Sequence, residues 1–165
     1  MTMETLEHSD TLVSLAGKYL TFNLGNEGYG LEILKVQEII GMQNITSVPT
    51  TPEYVKGVIN LRGKVIPVID LRLKFGMPPQ ETTRKTCIIV VQVHGDESDL
   101  IMGIVVDEVS EVLNIAADQI EPASALGSRL DSQFILGMAK TEAAVKILLD
   151  IDKILAPDEI LELKA

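Results

Sequence analysis

The chain has no tryptophan, aromatic residues make up only 4% of it, and its 165 residues include one cysteine and two histidines. Each scarcity excludes something. With so few aromatic rings, a core has to be built from Val, Ile and Leu, and a hydrophobic content of 46% supplies enough of them. Cys87 has no partner for an internal disulfide, which fits a reducing compartment. His8 and His94 stand in no ligand spacing with Cys87, so no metal site is expected. Positive charge is scarce too: 14 Lys and Arg face 24 Asp and Glu, a net charge of −10. Such a chain repels phosphate backbones and anionic lipid surfaces, which argues against nucleic acid and leaves proteins as the expected partners. Long apolar runs are missing as well. The longest, Cys87 to Val91, falls far short of the ~18 residues read as a membrane span. The polar start, MTMETLEHSD, lacks the basic and apolar regions of a signal peptide. The expectation is a cytoplasmic chain without direct membrane insertion.

Recognisable chemistry is also absent. No Ser/His/Asp or Cys/His set is visible in the sequence. Gly25-x-x-Gly28-x-Gly30 joins two strands and does not match the dinucleotide fingerprint. Asp96, Glu97 and Asp99 lack the ordered ligand loop of a calcium site. Neither a catalytic residue nor a cofactor is expected, and an enzyme is the minority reading.

What is present is strand grammar. Residues 1–17 read as a polar N-terminal segment. Lys18 to Leu24 alternates, with Leu20, Phe22 and Leu24 on one face of a half-buried strand. Gly25-Asn26-Glu27-Gly28 supplies a hairpin turn, and Leu31 to Ile40 reads as extended with a bend. Thr51-Pro52-Glu53 looks like a helix start, stopped by Gly57. Val58–Leu61 and Val65–Ile69 form a hairpin around Arg62-Gly63, with Pro67 marking an edge or a bulge. Asp70 caps a helical turn to Phe75, and a Pro-rich linker runs from Gly76 to Thr83. The second half repeats this. Ile88–Val93 is a strand, followed by a solvated loop from His94 to Asp99. Ile101–Leu113 is bent and extended, Ser132–Gly137 is a short helix, Val145–Leu149 is a strand, and Asp150–Leu155 is a helical turn.

The repetition holds residue by residue. At an offset of 73, Gly30-Leu31-Glu32-Ile33 meets Gly103-Ile104-Val105-Val106, and Val36, Glu38, Ile39 and Ile40 meet Val109, Glu111, Val112 and Leu113. At an offset of 80, Gly57 meets Gly137, and Val68-Ile69-Asp70-Leu71 meets Leu148-Leu149-Asp150-Ile151. A duplicated unit of short strands and helical turns is implied, each copy too small for a large core alone, hence two small barrels packed together. The expected boundaries are 18–83 for the first subdomain and 84–165 for the second.

Val36-Gln37-Glu38-Ile39, and above all the run from Gly57 to Arg72 (GVINLRGKVIPVIDLR), resemble the hallmark of CheW-like domains; Gly103 to Val109 is similar to the matching run of the second half. The resemblance spans roughly residues 15 to 160. It implies two pseudo-repeated, SH3-like, five-stranded β-barrel subdomains around a shared hydrophobic interface. It implies a non-catalytic adaptor that joins methyl-accepting chemotaxis receptors, by their cytoplasmic tips, to the regulatory domain of the histidine kinase CheA. Such an adaptor is a cytoplasmic monomer alone and is assembled into membrane receptor arrays. The domain also occurs within CheA and CheV, but this chain is too short to carry a kinase core or a receiver, so the stand-alone adaptor is expected. Positions matching the family's receptor- and kinase-coupling residues are Val36, Glu38, Gly57, Asn60, Leu61, Arg62 and Gly63, with Val105 and Val106 in the second copy. Alternatives are a paralogue serving a non-flagellar chemosensory array, or a small ligand-binding β-barrel or enzyme.

The residues alone support this more weakly. Arg62 on a tight turn presents a planar donor fork suited to a carboxylate, though a solvated turn residue fits the pattern as well. Glu38 reads as the exposed side of a half-buried strand, and Ile33, Val36 and Ile39 read as core. Arg62 aligns with Glu142 in the second copy, where the following glycine is Ala143. Folding accepts either turn, so the first carries a task beyond folding: Arg62 is expected to anchor a partner's carboxylate, and Glu142 not to contact that partner.

Overall fold

The structure, a computed structural model, describes residues 15–95, 99–122, 134–142 and 144–155. The first copy of the repeat forms β1 (Gly17–Leu24), β2 (Glu27–Glu32), a 3-10 turn (Ile33–Lys35), β3 (Val36–Gly41), β4 (Val55–Leu61), β5 (Lys64–Asp70) and helix α1 (Leu71–Lys74). The second forms β6 (Cys87–His94), β7 (Asp99–Val106), β8 (Glu108–Ile115), a 3-10 turn (Ala117–Gln119), β9 (Ile120–Pro122), β10 (Ile135–Lys140), β11 (Val145–Leu149) and α2 (Ile151–Ile154). The chain is mainly β with short helices. The expected polar tail, the Asp96-Glu97 loop and the start of a helix at Ser132 fall outside the described residues.

Local chemistry explains most boundaries. The Asp70 carboxylate accepts from the Leu73 N–H and the Asp150 carboxylate from the Lys153 N–H, each at 3.3 Å, so both helical turns are capped by the aligned aspartates. Arg62 (φ 51°) and Gly63 (φ 87°) are both left-handed, the combination that lets a two-residue turn follow the strands' twist. The Asn60 Oδ1 braces that turn by accepting from the Gly63 N–H at 2.8 Å.

One expected helix is not a helix, and the described end of a second is strand. Thr51-Pro52-Glu53 makes a single turn, closed by Val55 N–H to Pro52 O at 3.0 Å, and leads straight into β4. The Tyr54 carbonyl is already taken by the Asp70 N–H at 2.8 Å, a cross-strand bond that a helix would forfeit. Phe134 does the same for Asp150 at 2.9 Å, and Ile135–Gly137 is strand. Gly57 is therefore no helix stop. Pro67 is not on an edge strand either, because β5 lies between β4 and β7. Its missing N–H is harmless since the parallel ladder to β7 begins one residue later, at Val68 opposite Gly103.

The strands form a six-stranded sheet, β8–β1–β2–β11–β10–β9, and a five-stranded sheet, β3–β6–β7–β5–β4. Matching the copies (β1 to β6, β2 to β7, β3 to β8, β4 to β10, β5 to β11) turns the order of one sheet into that of the other, with β9 added. The first copy therefore gives two strands to the six-stranded sheet and three to the five-stranded one, and the second gives two to the five-stranded sheet and, with β9, four to the six-stranded one. The expected division at residues 83 and 84 does not separate the sheets, which exchange strands across it. Two links carry the exchange, residues 33–35 between β2 and β3 and Asp107 between β7 and β8.

The exchange explains the burial. Within the five-stranded sheet, Ile59, Ile66, Val68, Ile88, Val90 and Val105 form one inner cluster, and Tyr19, Ile115, Ile120, Ala139 and Leu148 form the counterpart in the six-stranded sheet. Between the sheets, Leu20, Phe22, Leu24, Ile89, Ile104 and others make the shared interface. β1 is thus buried on both faces from Tyr19 to Phe22, where a single half-buried face was expected. Thr21 at 1% exposure is tolerated there because its hydroxyl donates to Glu111 O at 2.7 Å, beside the bulge between Leu20 and Phe22.

Candidate interaction site

β3 and β4 are the two edge strands of the five-stranded sheet, and an ion pair bridges the seam between β3 and the turn that ends β4. At that seam Arg62 Nη2 donates to Glu38 Oε2 at 2.6 Å. The Arg62 side chain is 73% exposed and Glu38 26%, so the pair sits at the surface with its acid half sunk. The hydrogen bond and charge of Glu38 raise the Arg62 pKa above its ordinary value. The other oxygen, Glu38 Oε1, is shielded from solvent and accepts no hydrogen bond from the described residues.

Glu38 thus reverses its expected role. A bulge between Val36 and Glu38 resets the alternation of β3. Glu38 turns half inward and Ile39 outward, 45% exposed instead of core. Ile33 and Val36 do pack against the shared interface. Across the Arg62-Gly63 turn, Val65 is 65% exposed. Ile39 and Val65 were missed as surface residues because β-branched residues in strands read as core. The signal for Ile39 was the glutamate beside it, and Val65 had none.

The candidate residues separate into groups. Glu38, Asn60, Arg62 and Gly63 meet at the seam. Leu61 is half-buried against the inner cluster of the five-stranded sheet, to which Val105 also belongs. Gly57 is buried near the far end of β4, about 17 Å from Arg62 along the strand. Val106 is fully buried in the shared interface. The family resemblance marked Val105 and Val106 as coupling positions, and the structure gives both a packing role. Val106→Ala is expected to cost about 2–3 kcal/mol of stability by opening a cavity, measured by denaturant unfolding, with partner binding by the folded protein unchanged.

The six-stranded sheet is a built-in comparison. The Thr141 N–H donates to Ala144 O at 2.9 Å, placing Glu142 at the turn position Arg62 holds in the first copy. The residue aligned with Glu38 is Glu111. Two acids therefore stand where the first copy has an ion pair, and this sheet instead carries Lys140 Nζ to Glu121 Oε1 at 3.0 Å. The topology closes without a Glu38–Arg62 pair. Among the described residues no His/Cys/Asp/Glu group could hold a metal, and no helix is long and apolar enough to cross a membrane.

Comparison with known families decides the relationship: the CheW-like domain matches residues 18–159. The chain belongs to the CheW-like domain family. It is 41% identical over 155 residues to the chemotaxis protein CheW of Klebsiella aerogenes, covering 91% of each chain. Thermotoga maritima CheW is 32% identical, with 82% of this chain and 85% of the relative covered. Among solved structures, the scaffolding protein TtCheW from Thermoanaerobacter tengcongensis superposes with a TM-score of 0.75 at 37% identity, over 85% of this chain and 92% of that one. The mainly β, two-subdomain CheW fold expected from the sequence is the fold found.

Proposed function

We propose that this chain is a non-catalytic adaptor of bacterial chemotaxis, joining the cytoplasmic tips of methyl-accepting receptors to the regulatory domain of the histidine kinase CheA. The observation that carries the reading is the Glu38–Arg62 pair, present on one barrel and replaced by two acids on its twin. A feature the fold does without in one copy is free to serve recognition in the other. Around it lie an exposed guanidinium, an acceptor oxygen without a partner among the described residues, and the apolar Ile39 and Val65. That mixture suits a protein surface with apolar side chains and a few donors and acceptors. The expectation that Arg62 waits for a partner's carboxylate is revised, since its carboxylate in the resting chain is Glu38. A partner reads the pair as a unit, or takes one half of it. Signal passes as a change in the geometry of bound proteins, with no covalent step in this chain.

Purified chain is expected to capture both the kinase regulatory domain and a receptor-tip fragment in separate pulldowns. A folded chain that captures only one of them, or neither, ends the adaptor reading.

A further inference from the structure

We propose that the two repeat copies carry a charge code that makes each copy fold onto the other and not onto a second copy of itself. The exchange of strands creates the problem. Both sheets have one topology, so nothing in strand order alone stops two first copies, or two second copies, from trading strands between chains.

The links that carry the exchange are each held by one ion pair. Arg72, second residue of α1, donates through Nη1 to Asp107 Oδ2 at 2.7 Å. Lys35, at the end of the other link, donates to Oδ2 of Asp152, second residue of α2, at 2.6 Å. Arg72 and Asp152 are equivalent at the offset of 80, and Lys35 and Asp107 lie in equivalent links. In both clamps the acid also accepts a backbone N–H where the long hairpin of the opposite sheet turns. Asp107 takes Gly25 N–H at 2.6 Å and Asp152 takes His94 N–H at 2.8 Å. The side chains of both pairs are less than a third exposed, 12% and 22% in one and 19% and 29% in the other, which limits screening.

The geometry is the same and the charges are reversed. In the first clamp the helix is cationic and the link anionic, and in the second the helix is anionic and the link cationic. Pairing the first copy with itself would set Arg72 against Lys35. Pairing the second with itself would set Asp152 against Asp107 and Glu108. Only the mixed pairing joins opposite charges at both sites. Penalising the wrong partner is how charges confer specificity most effectively.

Two double variants of the full chain test this. Lys35→Asp with Asp107→Lys makes both clamps repulsive in the native pairing and attractive in each self-pairing. It is expected to lose about 10 °C in thermal midpoint and to refold into dimers and larger assemblies by sedimentation velocity. Lys35→Asp with Asp152→Lys keeps opposite charges at both native clamps while making both self-pairings attractive. It guards against simple failure to fold. Refolded from denaturant over a range of concentrations, it is expected to show a dimer fraction about fivefold above that of the parent, the factor one ion pair supplies. If the second variant refolds to monomer in the parent's proportion, or the first stays monomeric near the parent's midpoint, the charge code is wrong.

Discussion

Replacing Gly57 by alanine is expected to lower the thermal midpoint by about 10–15 °C, a cost of about 3–5 kcal/mol. Two causes add. The φ of 141° lies where an L side chain is strained. A Cβ built there would stand 2.0 Å from the Thr46 carbonyl oxygen and 2.7 Å from its carbon. That carbonyl cannot retreat, since Thr46 exchanges two backbone hydrogen bonds with Val58, each at 2.9 Å, and so extends the sheet past β4. The control is Gly137→Ala, at the same place in the other sheet. There the Cβ would meet Glu121 O at 2.9 Å, in β9, and the backbone is not left-handed. A loss of about 1–2 kcal/mol is expected for it. Thermal scans of both variants check the ranking, and equal losses would show that the Thr46 contact relaxes easily. Loss of partner binding by Gly57→Ala would then reflect unfolding, in keeping with a buried residue well away from the seam.

The sequence made the duplication and the local signals legible, and left the exchange between copies hidden. Aligned aspartates gave the two caps, Arg62-Gly63 gave the hairpin, and the offsets of 73 and 80 gave the correct pairs of strands. Hydrophobic alternation states which side of a strand is buried but never against which sheet. So β1 and β2 were grouped with the strands next to them in sequence, whereas the ladder joins β2 in parallel to β11. The false helix at Thr51-Pro52 followed real cap chemistry, defeated by the cross-strand bond from Asp70 to Tyr54. At the candidate site, Arg62 on its turn was visible, and its partner was not. One bulged residue between Val36 and Glu38 turned an apparently solvated acid inward, and a bulge leaves no mark in the alternation that a short strand can reveal.

Arg62→Glu is expected to weaken capture of at least one partner roughly a hundredfold while the chain stays folded. The substitution sets two carboxylates at a seam that now has a 2.6 Å contact. The twin barrel already tolerates Glu111 and Glu142 at the equivalent positions, so the midpoint should fall by no more than about 3 °C. Recognition has no such tolerance, because a partner seated over the pair meets a reversed charge in place of a guanidinium. The decisive variant is the exchange, Glu38→Arg with Arg62→Glu. It restores opposite charges at the seam and should recover the lost stability. It puts the cation on β3 and the acid on the turn, so a partner that reads position as well as charge still fails to bind. Glu142→Arg, on the twin turn, is expected to leave capture of that partner unchanged. Titration calorimetry with each purified partner separates the outcomes. Full recovery of binding in the exchanged variant would mean that the pair acts only by closing the barrel, and that the recognition surface lies elsewhere on the chain.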